Sequence, residues 1–289
     1  MRMDEKLIKR RRGAQAAMWS VFRFASLINA GALGLICIFL FVNGLPAISW
    51  EFLSQPPRDS MTAGGILPCI LGTVILSVGS MVVSFPLGVA TAIYLNEYAR
   101  PGRTVQLIRL GIANLAGVPS VVFGLFGLAF FVTFLGMGVS ILSGVLTLAI
   151  LVLPVIIGTA EEALKSVPGT YREASLALGA TKWQTIRMVV LPAALPGMLT
   201  GAILGLSRAA GETAAIMFTA AVFFAPKLPT SIFSDVMALP YHIYVLATAG
   251  TDIEKTRPLQ YGTALVLIAL VLGMNLIAIV YRAKLQKKR

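Results

Sequence analysis

Six stretches of this chain are too long and too apolar to remain in water: residues 24–42, 66–95, 110–135, 141–160, 193–221 and 262–281. About 20 apolar residues carry one helix across the hydrocarbon of a bilayer. Inside that layer only helices or closed barrels can satisfy their own backbone hydrogen bonds. The expected fold class is therefore an all-α integral membrane protein with six transmembrane helices. Composition agrees, with 57% hydrophobic and 12% charged residues, where a soluble domain carries about 25% charged.

The first run follows the basic leader MRMDEKLIKRRRG. It exceeds the roughly 7–15 apolar residues of a signal peptide's central region, so it reads as an uncleaved span, with the signal peptide as the alternative. Pro86, Pro119 and Pro154 lie inside runs and are expected to kink them. No internal repeat is visible, which argues against inverted-repeat transporters.

The net charge of +12 could suggest nucleic acid, but the basic residues gather at span ends, where they report topology. With the N-terminus inside, 19 of the 24 Lys and Arg fall on the inner side; only Arg58, Lys227, Lys255 and Arg257 fall outside, and Arg208 lies within a span. Positive residues accumulate on the cytoplasmic side, so both termini and the loop 161–192 are expected to be cytoplasmic. The segment 222–260 then faces outside, with Pro240–Tyr244 as an interfacial aromatic element. Cys37 and Cys69 lie in apolar runs and read as small core residues. A single histidine, His242, rules out a multi-histidine metal cluster. No metal site, cofactor site or catalytic set is legible.

The loop 170–192, TYREASLALGATKWQTIRMVVLP, is the best-patterned polar stretch. Thr170 with Glu173, and Thr181 with Gln184, have capping-box spacing, so two short helices are expected. Gly179, followed by Ala180, permits a tight or left-handed turn between them. Tyr171 and Arg172 open the first helix, and Ala174, Ala177 and Leu178 share one of its faces. On pattern alone this is either an amphipathic connector on the membrane surface or a docking element.

Glu173-Ala174-Ser175, Gly179 and Leu191-Pro192 resemble the EAA loop of ABC importer permeases. Ser175 replaces the second alanine and Val189 an isoleucine, with the spacing intact. The resemblance implies the type I (MetI-like) permease fold and two coupling helices that dock on a separate ATPase subunit. It places the chain in the bacterial inner membrane. No G-x-x-x-x-G-K-[ST] phosphate loop occurs here, so ATP would be held by another chain.

Inside the fifth run stands Arg208-Ala-Ala-Gly211-Glu212-Thr213. A charge at the bilayer centre costs about 2.5–3.5 kcal/mol on the insertion scale. Arg208 and Glu212, four residues apart, are expected to share a helix face and to pair, with Gly211 leaving room for a helix or a solute. The pair either fixes packing or lines a translocation path, and a guanidinium suits a tetrahedral oxyanion.

Leu206–Ala214 and Leu239–Tyr244 resemble the A-type subunit of phosphate-specific importers, a likeness running from about residue 64 to 281. The paired C-type subunit shares an Arg-x-x-Gly-Glu-Thr-like element. The resemblance implies an assembly of two related permeases, two ATPase subunits and an external phosphate-binding protein, with this chain doing no chemistry itself. The same machine carrying sulfate or molybdate is one alternative. An intramembrane enzyme using His242 as base is a remote one, since no nucleophile and orienting carboxylate accompany it. The expected organisation is a basic segment (1–23), a first span with its outer loop (24–63), the permease domain (64–282) and a basic tail (283–289).

Overall fold

The computed structural model describes residues 2–250 and 253–287 of the chain. It is a bundle of helices whose long axes are set by the apolar runs.

Helix α1 (Arg2–Gly44) is one rod of 43 residues, far longer than the expected first span, because nothing between the basic leader and the apolar run breaks a helix. It rests on the last helix near its C-terminal end, where the Phe39 and Tyr261 rings meet edge to face. A short α2 (Trp50–Ser54), capped by the Ser49 hydroxyl, and a two-stranded antiparallel ribbon of β1 (Pro57–Arg58) and β2 (Ala63–Gly64) lead into the core.

Helix α3 (Leu67–Ile93) keeps Pro86 inside it and ends in a widened π turn, Tyr94–Tyr98. The expected third span is not one helix. Here α4 (Arg103–Ala116) and α5 (Ser120–Gly127, continued by a π segment to Phe134) meet at 101°. Pro119 forbids continuation of the helix through residue 118, and Gly117-Val118 turn the chain. Helix α6 (Ile141–Lys165), capped by Ser140, is the buried centre of the bundle. Two short helices follow, α7 (Gly169–Ala177) and α8 (Lys182–Thr185).

The fifth expected span also needs correction. Helix α8 runs through a π turn at Ile186–Val190 into α9 (Leu191–Ala210), giving a continuous rod from Lys182 to Ala210. It then stops, and only the four-residue α10 (Ala214–Met217) follows. Beyond a loop come α11 (Leu239–Thr248) and the long α12 (Ile253–Lys287). Among the described residues, five helical rods are long and apolar enough to cross a membrane, or six if the bent pair is one span.

The core lies where α3, α6 and α9 pack on one another. On α9, Gly197 faces Ala163 of α6, Gly201 faces Thr159, and Gly205 lies against Ile156. The two helices are therefore antiparallel and very close: a Cβ on Gly201 would collide with the Thr159 side chain. Small residues at such a seam let backbones approach and gain van der Waals contact that lipid cannot supply.

Candidate functional site

The loop between α6 and α9 folds as the spacing foretold, with one exception. Thr181 accepts from the Gln184 backbone N–H, and the Gln184 side chain accepts from the Thr181 N–H, completing a capping box. Gly179 has φ +82°, the left-handed conformation that a Cβ disfavours by about 1 kcal/mol or more. The first expected cap is absent. Helix α7 begins two residues early, at Gly169 behind Pro168, and no side chain caps it. Proline already supplies the start, since its fixed φ and β-region ψ direct the chain into the first turn.

Arg172 turns inward. Its Nη2 lies 2.8 Å and its Nε 3.2 Å from Glu97 Oε1, on the π turn that ends α3. Its Nη1 and Nη2 also donate to the carbonyls of Val167 and Leu164, at 2.8 and 2.9 Å. One guanidinium thus binds carbonyls at and just beyond the end of α6 and neutralises a carboxylate that is 9% exposed. Ser175, the departure from the usual alanine, lies 2.9 Å hydroxyl to hydroxyl from buried Thr185 and ties α7 to α8. Beside them Arg109 of α4 stands 3.4 Å from Glu161 of α6, itself 3.4 Å from Lys165.

The loop exposes large apolar side chains among polar ones such as Thr181, Lys182, Gln184 and Arg187. Tyr171, Leu176, Leu178, Trp183 and Met188 are exposed, Leu178 at 89%. Glu173, Ala174 and Ala177 are exposed beside them. Ala180, Leu191 and Pro192 are half-buried, the last two at the start of α9. Large exposed apolar side chains on a polar loop make it a candidate interaction surface.

The second constellation corrects the expected ion pair. Helix α9 ends at Ala210, so Arg208 and Glu212 do not occupy successive turns of one helix. Gly211 N–H donates to Ser207, and Glu212 N–H to Ala209, both at 3.3 Å, in a closing turn. Among the described residues, Arg208 and Glu212 form no ion pair with each other or with any other group. Both are half-buried, as is Thr213, while Gly211 is exposed. The antiparallel register with α6 sets their depth. From Gly205 beside Ile156, Arg208 falls level with Val152–Leu153, half-way along α6. A helix that stops at that depth is tolerated only where its freed backbone is covered by protein or lines a wet cavity.

Two polar groups that sequence reasoning passed over hold this turn. The Ser207 hydroxyl lies 2.9 Å from Asn275 Oδ1 on α12, and two turns earlier Arg282 Nη1 donates to Thr200 at 2.8 Å. Asn275 interrupts an otherwise apolar run, and Glu97 is the only acid between Asp59 and Glu161. Those were the signals available.

His242 is 4% exposed within α11. Burial pushes its imidazole down to about 4, leaving it neutral, and its Nδ1 has no hydrogen-bond partner. Its neighbours Tyr241 and Tyr244 stack at 6.2 Å.

A bundle of membrane-length helices, with a protruding two-helix loop and an unpaired charge half-way through, defines the class of multi-pass transport permeases. Residues 84–289 match the model of the binding-protein-dependent transport system inner membrane component, and the chain belongs to this family, the permease subunits of ABC importers. It is 34% identical over 265 residues to "Probable ABC transporter permease protein YqgI" of Bacillus subtilis (strain 168), covering 88% of this chain and 90% of that one. It is 33% identical over 273 residues to the "Phosphate transport system permease protein PstA" of Xylella fastidiosa (strain Temecula1 / ATCC 700964), covering 94% of each. The fold is also similar to a solved structure of the MetNI methionine ABC transporter, with TM-score 0.57 and 21% identity over 76% of this chain and 94% of that one.

Proposed function

We propose that this permease moves inorganic phosphate into the cytoplasm, and that Arg208 is the residue meeting the anion on its way. The observation that carries the reading is the state of that side chain: a guanidinium half-way along the bundle, half-buried, with no carboxylate beside it among the described residues. A permanently charged group at that depth needs a counter-charge or water. A path that an oxyanion crosses provides both. Thr213 adds a hydroxyl, and exposed Gly211 leaves the approach open. Glu212, close in sequence but unpaired, keeps the local potential from trapping the anion, since conduction needs weak and brief binding. The relatives named as phosphate permeases support this cargo over other oxyanions.

In this reading the loop 170–192 is cytoplasmic, as are both termini, following the basic bias of the inner segments. Its exposed face of Tyr171, Leu178 and Trp183 docks on an ATPase subunit, with Glu173 and Ala174 at the contact and Gly179-Ala180 shaping the turn. The whole machine pairs this chain with a second related permease, two ATPase subunits and an external phosphate-binding protein. Closure of the ATPases displaces the loop as a rigid body. The rod Lys182–Ala210 carries that displacement to the turn bearing Arg208.

The test is ATP-driven uptake of labelled phosphate by the complete transporter in proteoliposomes, with sulfate and molybdate as competitors. Phosphate uptake that Arg208→Gln removes at normal complex abundance is the expected result. Uptake competed equally by sulfate or molybdate would move the cargo to another oxyanion. Undiminished uptake in Gly179→Trp would end the coupling role of the loop.

A further inference from the structure

Three cationic side chains from three different elements converge on the π turn Tyr94–Tyr98 that closes α3. Arg172 of α7 binds Glu97 Oε1 through two nitrogens. Lys182 of α8 stands 5.0 Å from the centre of the Tyr98 ring. Arg109 of α4 donates to the Leu95 carbonyl at 3.1 Å. Glu97 also receives the Asn96 side-chain amide at 2.8 Å. Widened π turns interrupt the regular helical ladder and recur at functional positions, and this one collects contacts from the whole loop end of the bundle.

The covalent chain joins α7 and α8 to α6 and α9, but not to α3. The Glu97–Arg172 contact makes that third connection, strengthened by the Ser175–Thr185 bond that makes α7 and α8 one unit. At its other end α3 touches the segment entering α11: Thr73 accepts from the Leu239 N–H at 2.9 Å, and Gly72 lies against the Met237 backbone. Helix α3 therefore spans the bundle from the loop to the start of α11, with a specific polar contact at each end.

We infer that Glu97 is a positioning residue of the coupling machinery. Through Arg172 it makes α3 follow the α7–α8 unit, so a stroke delivered at the loop is passed along α3 to the Thr73–Leu239 contact at the far end. A charged fork with two nitrogens on one carboxylate holds direction as well as distance, and its low exposure protects it from screening by salt. The carboxylate faces Arg172. This inference rests on the coupling reading of the loop given above.

The experiment uses the complete transporter in proteoliposomes and reads phosphate imported per ATP hydrolysed, together with retention of the ATPase subunits. Glu97→Gln is expected to lower that ratio roughly tenfold while the ATPase stays bound and active. Glu97→Asp, which keeps the charge on a shorter arm, is expected to recover about half of the lost ratio. An unchanged ratio in Glu97→Gln, or loss of the ATPase subunits from that variant, overturns the inference. Should Glu97→Gln fail to accumulate, Glu97→Asp and Tyr98→Leu carry the test. Each should lower the ratio about twofold, and an unchanged ratio in both overturns the inference. Gly179→Trp separates the two layers. If it uncouples transport and the Glu97 variants do not, only the role of Glu97 falls; if it leaves transport intact, the coupling reading falls with it.

Discussion

Arg172 and Arg208 exchange the roles their sequence positions suggest. The first lies in an exposed loop and makes four hydrogen bonds internally, to Glu97 and two backbone carbonyls. The second lies within an apolar run and has no partner among the described residues, although an acid stands four positions away. A guanidinium bonded as that of Arg172 is fixes geometry. In the proposed function, the one left unpaired at depth meets the passing anion.

The comparison is most directly broken by removing each charge. Arg172→Ala should destabilise the chain by about 3–5 kcal/mol, because it strands the buried Glu97 carboxylate; thermal unfolding of the purified permease measures this. His242 offers a third kind of group, unpaired but fully enclosed. Its folded value of about 4 against an ordinary value near 6.5 means that the stability tied to its neutrality is present above pH 6.5. That stability is lost as pH falls towards 4, by about 3 kcal/mol. His242→Phe should flatten this window in a pH series of melting temperatures.

Arg208→Gln should lower phosphate uptake by about a hundredfold, the cost of one charged hydrogen bond of roughly 2–3 kcal/mol, while leaving the melting temperature nearly unchanged. A large loss of stability instead would make Arg208 a packing residue like Arg172. The smallest effects separate the two candidate helix caps. Thr181→Ala removes a formed capping box and should cost about 1 kcal/mol, seen as faster hydrogen exchange in α8. Thr170→Ala removes no cap and should change exchange in α7 by less than about 0.5 kcal/mol.

Glu173 lay plainly in the sequence as part of a spaced motif, and the structure leaves it exposed on the loop. Gly179 was equally readable, because a left-handed residue between two short helices is a local requirement. Glu97 was not, since its partner lies 75 residues away and no periodicity links them. The expected Arg208–Glu212 pair failed for a related reason. A four-residue spacing makes neighbours only while the helix continues, and α9 ends at Ala210.

By itself the sequence determined the class of fold, the glycine turn and the second cap, because apolar length and capping act over one to a few helical turns. The 101° break at Pro119 was half-determined: proline marked the place, but packing chose the angle. Only the tertiary structure decided which charges meet. Ion pairing depends on distances in space, and those follow from how α3, α6 and α9 stack, not from the order of residues along any one of them.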